Sequence, residues 1–402
     1  MIYLDNNATT RPHPDVVRAM VEMLEDHWHN PSSVHRAGQA ARHRVELARR
    51  SIADLIGVKP RSITFTSGGT ESIDLAIRGS LRASGKRVLV TSPVEHAAVR
   101  DLAASLEQEE GVEVRYAAVD RAGRVLLDSL ERLIDEHAGL VSIQWANNET
   151  GVIQPLHDVA RLAISRGVWF HCDATQWVGK MPTRLAPEPP AQHPVSPISP
   201  LFADLLTFAP HKFHGPKGVG VLYVRPGARL APRIRGAQEL GRRGGTENVP
   251  GIVGAGVAAD LAAAWLQDHD ARTLLAGLRD RFETGVLNRI PDAVVNGAQA
   301  PSDPGPFRLW NTTNIGFPAL EAEALLLLLS EQGLCASAGA ACSSGSLDPS
   351  PVLLAMGIPP RVAHGSLRFS LSRETTAADV DHAIAIVADA VSRLRSSMTT
   401  PN

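Results

Sequence analysis

Five short stretches of this chain combine residue types that could do chemistry. The first, ITFTSGGTES, reads as a strand, a Gly-rich turn and a helix start. The amides after Ser67, among them that of Gly69, and the Thr70 hydroxyl would then face an anion at the helix N-terminus. An ordinary tight turn with a helix cap has the same composition. The second, HCDATQ, closes a strand, so Asp173 and Gln176 sit at the carboxyl edge of a parallel sheet, facing its crevice. A carboxylate there can keep a ring nitrogen protonated, and an Asp at a strand end is also a common helix cap. The third, FAPHKFHGPKGVG, carries His211 and Lys212 in a loop of Gly and Pro between two strand-like runs. Lys212 is a candidate Schiff-base nucleophile, with Lys217 as a close competitor. The fourth, CASAGAACSSGSLDPS, surrounds Cys342 with small residues that disfavour both helix and strand and leave a sulfur accessible. Cys335, after an apolar helical run, better suits a buried structural thiol. The fifth, SLRFSLSR, offers Arg368, whose guanidinium fork suits a substrate carboxylate or a surface salt bridge.

Positioning such groups takes a scaffold, and the pattern around them is α/β. Short β-branched runs at Ser62–Thr66, Arg87–Thr91, Val112–Ala117, Leu140–Trp145, Val168–Asp173 and Gly218–Val224 read as strands. Between several of them, Arg36–Ile56, Glu71–Ala83, Ala97–Glu109 and Leu156–Ser165 have helical spacing of Ala, Leu, Ile and Val. Strand, loop and helix repeated in that order predict a mostly parallel central sheet. After about Gly251 the composition changes to two Ala/Leu-rich helical stretches, then Thr312–Phe317, a helix around Leu320–Glu331, Leu367–Leu371 and a C-terminal helix. This reads as a smaller α+β domain. The Pro-rich stretch Ala186–Pro200 is incompatible with a core strand or helix and predicts an exposed loop.

Bulk properties restrict the function classes. With 402 residues, the chain exceeds what one hydrophobic core usually fills. Its 40 basic and 42 acidic residues are interspersed and leave a formal charge of −2, so no footprint for nucleic acid or an anionic membrane is visible. The start, MIYLDNNATT, has no apolar targeting segment, and the longest aliphatic run, Ala324–Leu329, is far below the roughly 20 residues that cross a bilayer. The expectation is a cytoplasmic protein acting on a small neutral or zwitterionic substrate. Three cysteines without a C-x-x-C pair argue against a disulfide framework and a structural zinc site.

In this order, from YLDNNATT at Tyr3 to RFSLSR at Arg368, these motifs resemble the cysteine desulfurases, of the class V aminotransferase branch of the fold-type I enzymes that use pyridoxal 5'-phosphate. The resemblance implies a large cofactor-binding domain over residues 15–262 and a small domain from 1–14 and 263–402 carrying the cysteine loop. It implies that Lys212 binds the cofactor covalently, Asp173 pairs with the pyridine nitrogen, Gln176 bonds the phenolic oxygen and His96, in VEHAAV, stacks on the ring. Asn148, in ANNETGVIQP, would line cofactor and substrate. Gly69, Thr70 and His211 would hold the phosphate together with Thr246, in RRGGTEN, reaching from the second subunit of a homodimer. Arg368 would grip the carboxylate of L-cysteine, and Cys342 would take its sulfur as a persulfide for an acceptor protein in iron–sulfur cluster assembly or thio-modification. No metal enters this scheme. Selenocysteine lyase, another class V reaction, or a non-catalytic sulfur-transfer scaffold are the competing readings. Cys342 favours desulfuration over class V reactions that need no mobile cysteine, Lys212, Asp173, Gln176, His96 and Cys342 together argue against the scaffold, and cysteine and selenocysteine both stay open as substrates. One departure stands out: the family usually has a serine two residues before the His-Lys pair, and Ala209 stands there, followed by Pro210.

Overall fold

The computed structural model describes residues 1–188, 199–297, 307–338 and 348–399. Cys342 and most of the Pro-rich stretch lie outside the described residues.

The chain begins with strand β1 (Ile2–Tyr3) and helices α1 (Pro14–Glu25) and α2 (Arg36–Ile56). There follow β2 (Ile63–Thr66), α3 (Gly69–Ser84), β3 (Val88–Thr91), α4 (Ala97–Glu110), β4 (Glu113–Tyr116), α5 (Leu127–Leu133), β5 (Ala138–Gln144), α6 (Leu156–Ser165), β6 (Trp169–Asp173), β7 (Leu205–Phe208) and β8 (Gly220–Val224). Strands β2 to β8 form a seven-stranded sheet in the order β2-β8-β7-β6-β5-β3-β4. All neighbours are parallel except β8, which runs antiparallel to both β2 and β7. Every residue of β5, AGLVSIQ, is buried, as expected for a central parallel strand covered by helices on both faces.

Helix α7 (Val249–Leu266) is apolar nearly all round because it packs on both α2 and α1, so its length and composition, sufficient for a membrane span, here serve a core. The first hydrophobic core runs from Val16 through these helices and the sheet to Leu266. A second gathers Ile2 and Leu4 with α8 (His269–Arg289), β9 (Val294–Asn296), β10 (Thr312–Gly316), α9 (Ala322–Glu331) and the C-terminal elements. After β11 (Leu334–Cys335) and β12 (Ser337–Ala338) come the short helices α10 (Pro351–Ala355) and α11 (Pro360–Ala363), then β13 (Ser366–Ser370) and α12 (Ala377–Thr399). The order β12-β13-β10-β9 makes a small antiparallel sheet, while β1 pairs in parallel with β11.

Two features of this fold create a site. The carboxyl ends of β3, β5, β6 and β7 lie together at one edge of the large sheet, with Gln144, Asp173 and Thr207 side by side in register. Crevices at such edges are where α/β sheets bind ligands. The N-terminal segment, meanwhile, is stitched to β11 by Leu4 N to Cys335 O (2.9 Å) and to the small sheet by Ser370 N to Leu4 O (2.7 Å) and Asn6 N to Ser370 O (3.2 Å). It thereby carries Asp5, Asn7 and Ala8 to the same edge.

The strand readings agree with the structure to within a few residues, and Arg36–Ile56 and Leu156–Ser165 agree at both ends. Strand β7 was not read because LLTF is only four residues long and follows the Pro-rich stretch, and α1 was not singled out.

Candidate active site

Eight of the expected residues, Gly69, Thr70, His96, Asn148, Asp173, Gln176, His211 and Lys212, line one open cavity at the carboxyl edge of the sheet. Each arrives by a local mechanism. Pro210 begins a single 3-10 turn after β7, which ends at Lys212. The ammonium of Lys212 lies against two backbone carbonyls of the N-terminal segment, Asn7 O at 2.7 Å and Ala8 O at 2.8 Å. The preceding His211 shares a hydrogen bond between Nδ1 and Thr9 Oγ1 (3.2 Å), and burial, then Lys212, Lys217 and Lys180, push it down to about 3. It is therefore neutral at physiological pH.

Asp173 ends β6 almost fully buried, and its Oδ1 accepts from Thr175 N at 3.0 Å, the local capping bond that the sequence also allows. Gln176 donates from Nε2 to Asn7 O (3.1 Å) and accepts at Oε1 from Lys180 Nζ (2.6 Å). His96 caps α4 by accepting from Ala98 N at Nδ1 (3.1 Å). Burial lowers its pKa, with Lys212, Arg100 and Arg368 adding to the effect and Asp173 opposing it. An imidazole that accepts at Nδ1 and stays neutral has its proton on Nε2.

Gly69 and Thr70 open α3, whose first-turn Glu71 accepts from Ser67 N (2.8 Å) and pairs with Arg243 (2.8 Å). Arg243 belongs to the same loop as Thr246. That loop is anchored further back by a buried pair of Glu239 with Arg49, two bonds of 2.8 Å, and by Glu239 accepting from Phe65 N at 2.8 Å. Thr246 itself is exposed and does not line the cavity.

Arg368 also lies outside the cavity lining, at the middle of β13. Its side chain is 3% exposed, donates from one terminal nitrogen to Asp5 Oδ1 (2.7 Å) and from the other to Asn148 O (3.2 Å), and its Nε is buried without a partner. The salt-bridge alternative is thus present, as a buried pair and not a surface one. Of the other cysteines, Cys172 is fully buried in β6, where burial pushes its thiol well above the ordinary value, and Cys335 is partly buried in β11.

Sequence reasoning missed four groups here. Thr175 lines the cavity with a buried hydroxyl that has no partner, and a Cβ built on Gly69 would lie 3.7 Å from that hydroxyl and 3.6 Å from Ala209 Cβ. Asn7 joins Lys212, Gln176, Lys180, Asn148 and Thr312 through its backbone and amide. Lys180 stands behind Gln176. Glu95, completely buried beside His96, accepts from Ser92 Oγ (2.7 Å) and Gln144 N (2.9 Å), and burial, aided by Asp173, pushes it up to about 8. No local spacing marks any of them.

The set has the chemistry that pyridoxal phosphate requires: an acid for a ring nitrogen, an amine for an aldehyde, an amide for a ring oxygen and a helix N-terminus for a phosphate. Asn148 Oδ1 and Thr175 Oγ1, buried and unpartnered, are two polar atoms that a bound group would satisfy.

Comparison with known proteins points the same way. The family model for aminotransferase class-V matches residues 2–383. A cysteine desulfurase from Nostoc sp. is 46% identical over 398 residues, covering 98% of this chain and 94% of that protein. The cysteine desulfurase NifS of Azotobacter vinelandii is 44% identical with the same coverage. Among solved structures, a NifS-like protein superposes with a TM-score of 0.85 at 37% identity, over 98% of this chain and 100% of that one.

Glu95 generates a pH dependence of its own. Its folded value of about 8 stands above the ordinary 4.5, so the unfolded chain loses this proton first. The stabilising contribution is fully present below about pH 4.5 and is lost as pH rises through about 8. Glu95→Gln keeps a neutral group of the same shape at every pH. The variant should gain stability relative to the parent between those limits, by on the order of 5 kcal/mol, and the gain should then level off. Urea unfolding midpoints at about pH 5, 6.5 and 8.5 measure it; a difference that stays constant across them sinks the assignment.

Proposed function

The chain belongs to the class-V aminotransferase family and within it to the cysteine desulfurases, and from that membership we propose that it is a pyridoxal phosphate-dependent enzyme that takes sulfur from L-cysteine, holding the cofactor through Lys212 and the sulfur on Cys342. The observation that carries the reading is the convergence of Lys212, Asp173, Gln176 and His96 on one cavity at the carboxyl edge of the sheet. Four groups of unlike chemistry, brought there by three different strand ends, match one planar ligand.

When bound, the cofactor is an electron sink that loosens the substrate's α-proton and draws electrons away from its carbon–sulfur bond. The residues divide the remaining work. Asp173 keeps the ring nitrogen protonated, Gln176 donates to the ring oxygen, and the neutral His96 covers the ring face. Lys212, whose amine lies against Asn7 O and Ala8 O, picks up and returns the substrate proton. Arg368 offers its guanidinium to the substrate carboxylate, and Asn148 lines the approach. Cys342 attacks the substrate sulfur as a thiolate: an S–S bond forms, the C–S bond breaks, and the proton shed by the thiol ends on the methyl carbon of alanine. The persulfide sulfur then passes to an acceptor protein, of iron–sulfur cluster assembly or thio-modification. A cytoplasmic setting suits this, because Cys342 must stay a reduced thiol to attack the substrate sulfur.

The phosphate falls to the start of α3, with Gly69, Thr70 and His211. Thr175 compensates for Ala209, since its free hydroxyl borders the same glycine. Thr246 acts across a homodimer: it is exposed on a loop that Arg243 and Glu71 tie to α3, and Leu240 of that loop and Trp28 leave large apolar side chains in solvent at 69% exposure each.

The reaction itself is tested by reducing the loaded protein with borohydride and mapping the label. It should fall on Lys212, and Lys212→Ala should take none. Cys342→Ser should keep the cofactor's visible band and its response to L-cysteine while losing alanine release. A label on Lys217, or full turnover in Cys342→Ser, defeats the reading.

The dimer is tested by sedimentation. A monomer carrying a full complement of active cofactor overturns the role given to Thr246.

Compensation at the phosphate is tested by cofactor affinity in a Lys212→Ala background, where the covalent link no longer masks it. Thr175→Val should weaken binding by about tenfold, the equivalent of ~1.4 kcal/mol for one hydrogen bond to a charged group. Ala209→Ser should tighten it by no more than about tenfold, because much of the place is already filled. A silent Thr175→Val combined with a strong gain from Ala209→Ser assigns the donor wrongly.

A further inference from the structure

Lys180 is a completely buried amine that the scheme above leaves unused. It is 4% exposed, and no acidic side chain pairs with it among the described residues. Its hydrogen bonds go to two side-chain carbonyl oxygens, Asn7 Oδ1 at 2.8 Å and Gln176 Oε1 at 2.6 Å. Burial, then Lys212 and Arg368, push its pKa well below the ordinary value, and Arg368 is itself paired with Asp5. Burying an amine without a carboxylate is unfavourable, and an apolar side chain of similar length would fill the same volume without that penalty. The lysine therefore contributes something other than stability.

Its neighbour shows what that is. The oxygen and nitrogen of a glutamine amide are nearly the same size, so the two orientations of Gln176 differ only in the partners they meet. Lys180 carries N–H groups and, as an ammonium, no lone pair, and it meets Asn7 Oδ1 and Gln176 Oε1 as a donor to both. The Gln176 atom 2.6 Å away is accordingly oxygen, which turns Nε2 toward Asn7 O and the cavity that Gln176 lines. Asn7 is fixed in the same sense, because with Oδ1 toward Lys180 and Asn311 its Nδ2 meets Asn148 O (3.1 Å) and Thr312 Oγ1 (2.9 Å).

We propose that Lys180 is a positioning residue that locks the side-chain amide of Gln176 with its N–H, and not its carbonyl, toward the ring oxygen of the bound cofactor. The inference rests on the reading of Gln176 as the partner of that oxygen. An N–H donor there stabilises negative charge on the oxygen, and a carbonyl in its place would repel it.

The test reads the cofactor's own spectrum. In the loaded protein, the pH midpoint at which the visible band changes should rise in Lys180→Met by on the order of one pH unit, because the deprotonated state loses its donor. The same substitution in a Gln176→Met background should add less than half of that shift. Thermal unfolding of the cofactor-free Lys180→Met protein should be no lower than the parent's. Should Lys180→Met fail to fold, Lys180→Gln in the same two backgrounds decides, with a smaller shift that again requires Gln176. An unchanged midpoint, or an equal shift with and without Gln176, overturns the role of Lys180 while leaving the desulfurase reading intact. A parent protein that takes up no pyridoxal phosphate removes both.

Discussion

The site depends on one short piece of backbone, the carbonyls of Asn7 and Ala8 that receive the Lys212 ammonium. Those carbonyls are available because the N-terminal segment has left the ladder it forms with Cys335 and Ser370 and has not yet entered α1. Leu4 is locked in the second core, and Thr10 is tied to His211 O at 2.9 Å through both its amide and its hydroxyl. Between these fixed points Asn7 touches the first sheet through Gln176 and the second through Thr312 and Ser370. The relative position of the two cores and the position of the Lys212 amine are thus set by the same few hydrogen bonds. A shift of this segment would move the lysine, the amide of Gln176 and the carbonyl of Asn148 together.

The electrostatics of the cavity follow from burial more than from pairing. Lys180 is depressed because it is buried near other cations, His211 and His96 are held neutral by burial, and Glu95 is held protonated by burial. The two imidazoles in the cavity wall are thereby uncharged, which leaves Lys212, Asp173 and the start of α3 as the distinct features a ligand meets. An incoming phosphate dianion faces neutral imidazoles and a helix N-terminus in place of a pre-formed cluster of cations and counterions. Selection then rests on directed hydrogen bonds, which suits a ligand whose ring must be held at a fixed tilt.

Legibility in the sequence tracks whether a feature is local. Arg36–Ile56 could be read in full because its apolar positions recur at helical spacing and Gly57 ends it in a left-handed turn at φ 72°. The catalytic candidates could be read because each lies beside a strand end or a Gly-rich loop, and eight of them do share one cavity. The order of the strands was not legible, since β8 reaches its place between β2 and β7 only through tertiary pairing. Glu95, Thr175 and Lys180 were likewise hidden: a glutamate, a threonine and a lysine look solvated until packing encloses them, and nothing in VEHAAV or DATQWVGK states that enclosure. The resemblance to a family names candidate ligands for the cofactor and is silent on the groups packed behind them.

Arg368 joins these points. Its pairing with Asp5 could be taken as competition with the carboxylate that the proposed function assigns to it, yet under that proposal the two carboxylates act on different N–H groups of one fork. A guanidinium presents five N–H groups in a fixed plane. Asp5 and Asn148 O each engage one terminal nitrogen, and Nε is left buried and unsatisfied. With two of its nitrogens already held, the plane cannot rotate, so a carboxylate arriving at the remaining N–H groups loses no freedom of the arginine on binding. Asp5 is in turn fixed by Ser337 Oγ at 2.8 Å, in the strand that immediately precedes the segment containing Cys342. The arginine, its orienting carboxylate and the root of the cysteine segment therefore form one connected unit on the small sheet, and Asn148 links that unit to the sheet that holds Lys212.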